Sequence, residues 1–173
     1  MTELNSSQDN MPIRVLVADD DVHILRCYQR AFASSHASSC ETTLATLSDE
    51  LFGDGGGSLP QPEFDVVACS QGDDAVEKVA AATEERRPFD AVILDVRMPP
   101  GINGLDAGKT IRKLDPDVPI VFVSGYSDVS KVELMLSVPP ASRVHYFSKP
   151  LSFSNLAQEV AEIVRAARRT HDT

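Results

Sequence analysis

Five short apolar runs rich in Val and Ile alternate along this chain with stretches of helical period, and this alternation constrains the fold more than any other feature. A run that is apolar at successive positions, rather than at every second one, describes a strand buried on both faces. Such strands occur in parallel sheets whose crossover helices cover both sides. The pattern predicts strands near 13–18, 64–69, 90–95, 119–124 and 144–147. Helical patterns fall near 21–33, 72–83, 104–114, 128–136 and 152–169, so strand and helix alternate strictly. A doubly wound α/β sheet follows.

One connection breaks the rhythm. Residues 34–63, between the first helix and the second strand, run far beyond the few residues such a loop usually needs. Ser38 and Glu41 match a capping box, and Leu44, Leu47, Leu51 and Phe52 recur at helical spacing up to Gly53, which predicts a short amphipathic helix. The stretch GDGGGSLPQP reads as a linker, since its glycines are not followed by the Lys-Ser or Lys-Thr of a phosphate-binding loop. The expected organisation is a polar, disordered tail at 1–10, a single domain over 11–169 carrying this insertion, and a tail at 170–173.

Charge and cysteine usage narrow the function. A formal net charge of -10 opposes contact with phosphate backbones or anionic lipid, so neither a direct nucleic-acid partner nor a membrane partner is expected. The start of the chain lacks a signal-peptide pattern, and no apolar run is long enough to span a bilayer. Cys27, Cys40 and Cys69 are odd in number and widely spaced, which fits a reduced, cytoplasmic setting rather than a disulfide or zinc framework. His23, His36, His145 and His171 lack the spacing of a zinc site.

In an open parallel sheet, ligands bind outside the carboxyl ends of the strands. Asp19 and Asp20 follow the first run, Asp95 ends AVIL, Ser124 ends PIVFV and Lys149 follows HYFS. If the strand order is 2-1-3-4-5, the strands bearing these residues are neighbours and their ends converge. Three gathered carboxylates repel one another, and a hard divalent cation such as Mg²⁺ relieves that repulsion. It would also neutralise charge while an anionic phosphoryl donor approaches an anionic nucleophile. Taken singly, Asp19 and Asp20 could be an acidic turn capping the next helix, Ser124 an ordinary turn residue and Lys149 a solvated cation.

VLVADDD, ILDVRMPPGINGLD, IVFVSGYSD and FSKP together resemble the four signatures of the receiver domains of two-component response regulators. The resemblance covers about residues 12–168 apart from the insertion, and it implies a flavodoxin-like (βα)5 fold with sheet order 2-1-3-4-5. Residue by residue, it implies that Asp95 accepts a phosphoryl group from a histidine kinase, a phosphotransfer protein or a small donor. Asp20 would bind Mg²⁺ directly, Asp19 mostly through water, and the Arg97 backbone carbonyl would be a further ligand beside Asp95. Ser124 would be the switch hydroxyl, Lys149 the phosphoryl-binding lysine, preceding a cis Pro150, and Tyr146 the aromatic that moves inward on activation. The domain would then be a signalling module rather than an enzyme. The long insertion, the Pro99–Pro100 pair, Gly125 and the loop SVPPAS before the last strand are departures from the commoner pattern, and the combination of insertion and MPPG is similar to receivers at the amino end of larger sensor proteins.

A second resemblance, to haloacid dehalogenase-type phosphatases, would instead make Asp19 the nucleophile, with Asp21, Ser124 and Lys149 in support. It leaves Asp95 without a role. Output is expected on the surface made by the fourth helix, fifth strand and last helix, through a phosphorylation-dependent homodimer or effector domain. In that last helix Phe153, Leu156, Val160, Ile163 and Val164 form one apolar stripe, and Arg165, Arg168 and Arg169 complement the negative end of its dipole.

Overall fold

A computed structural model describes residues 11–33, 62–125 and 130–171. The expected tail at 1–10 and the insertion helix with Leu44, Leu47, Leu51 and Phe52 lie outside the described residues. Five strands, β1 (Ile13–Ala18), β2 (Phe64–Cys69), β3 (Ala91–Asp95), β4 (Ile120–Ser124) and β5 (Val144–Ser148), form one parallel sheet in the order β2-β1-β3-β4-β5. The α-helices among the described residues are α1 (Val22–Ala33), α2 (Gly72–Glu84), α3 (Gly104–Leu114), α4 (Lys131–Ser137) and α5 (Phe153–His171), with a 3-10 turn at Ala141–Arg143 before β5. This is the flavodoxin-like arrangement expected from the sequence.

Boundaries differ where capping decides them. α4 starts at Lys131 rather than near 128, because Ser130 is its N-cap and the Ser130 hydroxyl accepts a hydrogen bond from the Glu133 amide at 3.1 Å. α5 continues past 169 to His171.

The apolar runs split by alternation onto two faces. Leu16, Val92, Leu94, Ile120 and Phe122 pack with residues of α2, α3 and α4. Val15, Val17, Ile93, Val121 and Val123 pack with α1 and α5. All of these strand residues are fully buried. Each such side chain contributes about 1.5–3 kcal/mol over leaving it exposed, so the apolar core fixes where every strand ends. Tyr28 of α1 meets Phe153 of α5 edge to face, ring centroids 4.9 Å apart, which ties the two helices of that face together. Of the expected α5 stripe, Leu156, Val160 and Val164 are buried, with Phe153 and Ile163 half-buried beside them.

Because β1 lies between β2 and β3, the chain leaves the ends of β1 and β3 toward opposite sides. The crevice of a doubly wound sheet opens at that reversal, above Asp19 and Asp95.

Candidate functional site

The acidic run after β1 divides into three roles. The Asp19 amide donates to the Cys69 carbonyl at 3.2 Å, extending the β1–β2 pairing by one residue and burying the Asp19 side chain to 1% exposure. Asp19 Oδ1 accepts the Asp21 amide at 3.0 Å and Oδ2 accepts Lys149 Nζ at 2.7 Å. Asp21 caps α1: its Oδ1 accepts the His23 amide at 2.7 Å and its carbonyl accepts the Leu25 amide. Asp20 stays exposed on the rim. The helix-capping alternative therefore belongs to Asp21, which leaves Asp19 and Asp20 to the site.

Asp95 is the last residue of β3 and only 7% exposed. Its Oδ2 accepts the Arg97 amide at 2.8 Å and its Oδ1 accepts Lys149 Nζ at 2.8 Å. The backbone beneath it is pinned from below. The Gly104 amide donates to the Val96 carbonyl at 3.0 Å, and a Cβ on Gly104 would sit 2.0 Å from the Asp95 carbonyl oxygen. α3 thus starts directly on the Asp95 backbone, which only glycine permits. Asn103 caps that helix by accepting the Asp106 amide at 2.8 Å.

Lys149 follows β5, where its amide donates to the Ser124 carbonyl at 2.7 Å and carries the β4–β5 pairing past the strand. The Lys149–Pro150 bond is cis, as expected, and Pro99–Pro100 and Pro139–Pro140 are cis as well. A cavity of about 560 Å³ opens here, lined by Asp20, Asp95, Arg97, Pro99, Ser124, Gly125 and Lys149. Asp19 sits behind Lys149, outside the lining. Tyr146 is half-buried on the α2–α4 face and does not line the cavity either.

Electrostatics follow from the crowding. Burial raises the pKa of the Asp19 carboxyl, and the hydrogen bond from Lys149 offsets part of that rise. Burial acts to lower the pKa of Lys149, but its hydrogen bonds to Asp19 and Asp95 outweigh it, so the ammonium is held charged above its ordinary range. Burial pushes the nearby Cys69 thiol up to about 11, which makes it a poor nucleophile.

No three His, Cys, Asp or Glu side chains among the described residues are gathered closely enough to hold a metal ion, because the Lys149 ammonium stands between Asp19 and Asp95. The donor set nevertheless suits a hard cation. Asp19, Asp20 and Asp95 set three carboxylates against one ammonium, and the groups available are all oxygen, the Arg97 carbonyl included.

Sequence reasoning missed two residues beside this site. Gln71 and Asp73, at the start of α2, hydrogen-bond to the loop that follows Asp95. Their only signal in the sequence is Gly72 between them, a residue that lets two backbones approach.

The sequence profile of the response regulator receiver domain matches residues 57–161. The transcriptional regulatory protein ZraR of Escherichia coli O157:H7 is 32% identical over 108 residues, which is 62% of this chain and 22% of ZraR. The response regulator protein TodT of Pseudomonas putida is 34% identical over 76 residues, 44% of this chain and 30% of TodT. The chain thus spans less than a third of the length of these relatives. A CheY-like response regulator receiver domain protein from Methanospirillum hungatei superposes with a TM-score of 0.63 at 17% identity, covering 92% of this chain and 99% of that one. These similarities lend no support to the dehalogenase-type alternative with Asp19 as nucleophile.

Proposed function

We propose, from the premise that this chain belongs to the response regulator receiver domain family, that Asp95 is its phosphoacceptor. One observation carries the assignment: Lys149 Nζ lies 2.8 Å from Asp95 Oδ1 and 2.7 Å from Asp19 Oδ2, at the mouth of the sheet. A carboxylate oxygen of Asp95 attacks the phosphorus of a phosphohistidine or a small acyl phosphate. The bond from phosphorus to the donor breaks, and an acyl phosphate forms on Asp95. Lys149 and the Ser124 hydroxyl hold phosphoryl oxygens, while the Arg97 amide keeps the acceptor carboxylate in place. Asp20, Asp95 and the Arg97 carbonyl, with Asp19 behind, would hold Mg²⁺, which supplies positive charge against the entering phosphoryl group. A histidine kinase or a phosphotransfer protein is the natural donor.

For the response, Ser124 moves toward the phosphoryl group and Tyr146 follows into the space released. The signal then reaches the surface of α4, β5 and α5. Val132 and Leu136, 65% and 75% exposed and one helical turn apart on α4, are the apolar residues that suit this surface to an effector domain or a second copy.

Acetyl phosphate with Mg²⁺ should place one phosphate on Asp95, located by mass spectrometry, and omitting Mg²⁺ or substituting Asp95→Asn should remove it. Label retained in Asp95→Asn would overturn the assignment. Sedimentation with and without beryllofluoride tests the dimer form of the output, and an unchanged monomer would count against it.

A further inference from the structure

Gln71 is the N-cap residue of α2, yet its side chain makes no cap hydrogen bond to its own helix. Short oxygen-bearing side chains are favoured at that position because they satisfy the free amides of the first turn. Here the longer side chain reaches across to the loop that follows Asp95. Gln71 Oε1 accepts the Gly101 amide at 3.0 Å, and Nε2 donates to the Pro99 carbonyl at 3.4 Å. Asp73 Oδ2 accepts the Ile102 amide at 3.3 Å. The fit is close: a Cβ on Gly101 would lie 2.7 Å from both Gln71 Oε1 and Asp73 Oδ2.

We infer that Gln71, with Asp73, is a positioning residue for the phosphoacceptor, acting through the loop from Arg97 to Ile102. That loop begins with the amide that holds Asp95 Oδ2, and its Pro99 lines the site cavity. Fixing Pro99, Gly101 and Ile102 from α2 leaves Arg97 little freedom to turn its peptide groups away from Asp95. Through this clamp a side chain outside the cavity sets how well the oxygen ligands are aligned before any ion arrives. The inference rests on the proposed role of Asp95, and it extends that role to residues of the β2–α2 junction.

The test uses the full chain with Gln71→Met, which keeps the length and removes both hydrogen bonds, and Gln71→Glu, which keeps the acceptor for Gly101. Amide hydrogen exchange of the metal-free protein is read at Gly101, and the Mg²⁺ concentration for half-maximal labelling of Asp95 by acetyl phosphate is read separately. In Gln71→Met, Gly101 should exchange about fivefold faster and the Mg²⁺ midpoint should rise about fivefold, the scale of one lost hydrogen bond. The labelling rate at saturating Mg²⁺ and the melting temperature should stay near those of the unaltered chain, and Gln71→Glu should restore most of the midpoint. An unchanged midpoint despite faster exchange at Gly101 would show that the clamp holds the loop but not the site, and overturn the inference. Unchanged exchange would overturn the clamp itself. If the unaltered chain takes no label on Asp95, the proposed function fails instead, a result separable because the exchange measurement needs neither metal nor donor.

Discussion

The two ends of the parallel sheet are both charged, but they are satisfied in different ways. At the carboxyl ends of the strands, Asp19 and Asp95 share the Lys149 ammonium, whose side chain is still 25% exposed, and Asp20 stands exposed beside them. At the amino ends the carboxylate of Asp90 and the terminal nitrogens of Arg112 find partners, while the buried Nε atoms of Arg14 and Arg112 make no hydrogen bond. Asp90 accepts the Arg14 amide at 2.8 Å on Oδ2, and Arg168 Nε and Nη2 at 3.2 and 2.9 Å on Oδ1. The Arg112 guanidinium, 8% exposed, donates to the carbonyls of Asp115, Pro116, Val118 and Arg143. Cavities open at both ends, one lined by Asp20, Asp95 and Lys149 and the other by Arg14, Asp90 and Arg168. Three carboxylates face one ammonium at the first, whereas Asp90 and Arg112 are held by backbone groups and by Arg168 at the second. The difference separates the proposed phosphoryl and cation site from a staple that holds α5 and the strand starts.

An aspartate stands at each end of β3, Asp90 just before its first residue and Asp95 as its last, which gives the strongest way to break this comparison. Asp95→Asn should abolish Mg²⁺-dependent labelling. Asp90→Asn should leave labelling intact and cost about 1 kcal/mol of stability in a denaturant melt, through weakened hydrogen bonds. Equal loss of labelling in both variants would erase the distinction between the two ends.

Close packing sharpens it further. Gly104→Ala should cost about 3 kcal/mol, because the added methyl meets the Asp95 carbonyl oxygen and backbone must shift. Labelling should slow in whatever fraction remains folded. Arg112→Met should cost a similar amount, about 2–3 kcal/mol, by leaving buried carbonyls without a donor, yet the labelling rate per folded molecule should not change. Chemical denaturation together with acetyl phosphate kinetics reads both quantities.

Lys149→Met sets Asp19 and Asp95 against each other with no ammonium between them. In the absence of divalent ions it should lose about 2 kcal/mol, a value below that of a fully buried pair because Lys149 is partly solvated. Added Mg²⁺ should stabilise this variant more than the unaltered chain, which differential scanning measurements would show as a larger rise in Tm.

The smallest effect concerns His145, half-buried on β5. Burial lowers its pKa below 6.5, Lys131 lowers it further, and Glu159 opposes both. As the pH falls below 6.5, the unfolded chain takes up the proton while the folded chain resists it, so stability declines until the lower folded pKa is passed. His145→Gln should flatten that decline by less than about 1 kcal/mol in acid-side melts. An unchanged slope would mean that other groups set it.

The family profile begins at residue 57, after β1 and α1. Those two elements carry Asp19 and Asp20, and β1 lies inside the sheet between β2 and β3. The insertion parts them from the matched region along the chain but not in space. A longer loop adds closure entropy only slowly, while pairing on both sides of a strand whose apolar residues are all buried continues to hold it.

Sequence alone determined the alternation of strands and helices, their sheet class, and the identity of Asp19, Asp20, Asp95, Ser124 and Lys149 as strand-end residues. It could do so because apolar period and position after a buried run are one-dimensional properties of the chain. Tertiary structure decided the rest: that Asp21 rather than its neighbours caps α1, that Lys149 lies between Asp19 and Asp95, that Tyr146 stands outside the cavity, and that Arg112 is bound by carbonyls. It also brought Gln71 to a loop thirty residues away. Each of these depends on how far a side chain reaches across elements packed at a particular distance, and no local pattern in the sequence encodes that distance.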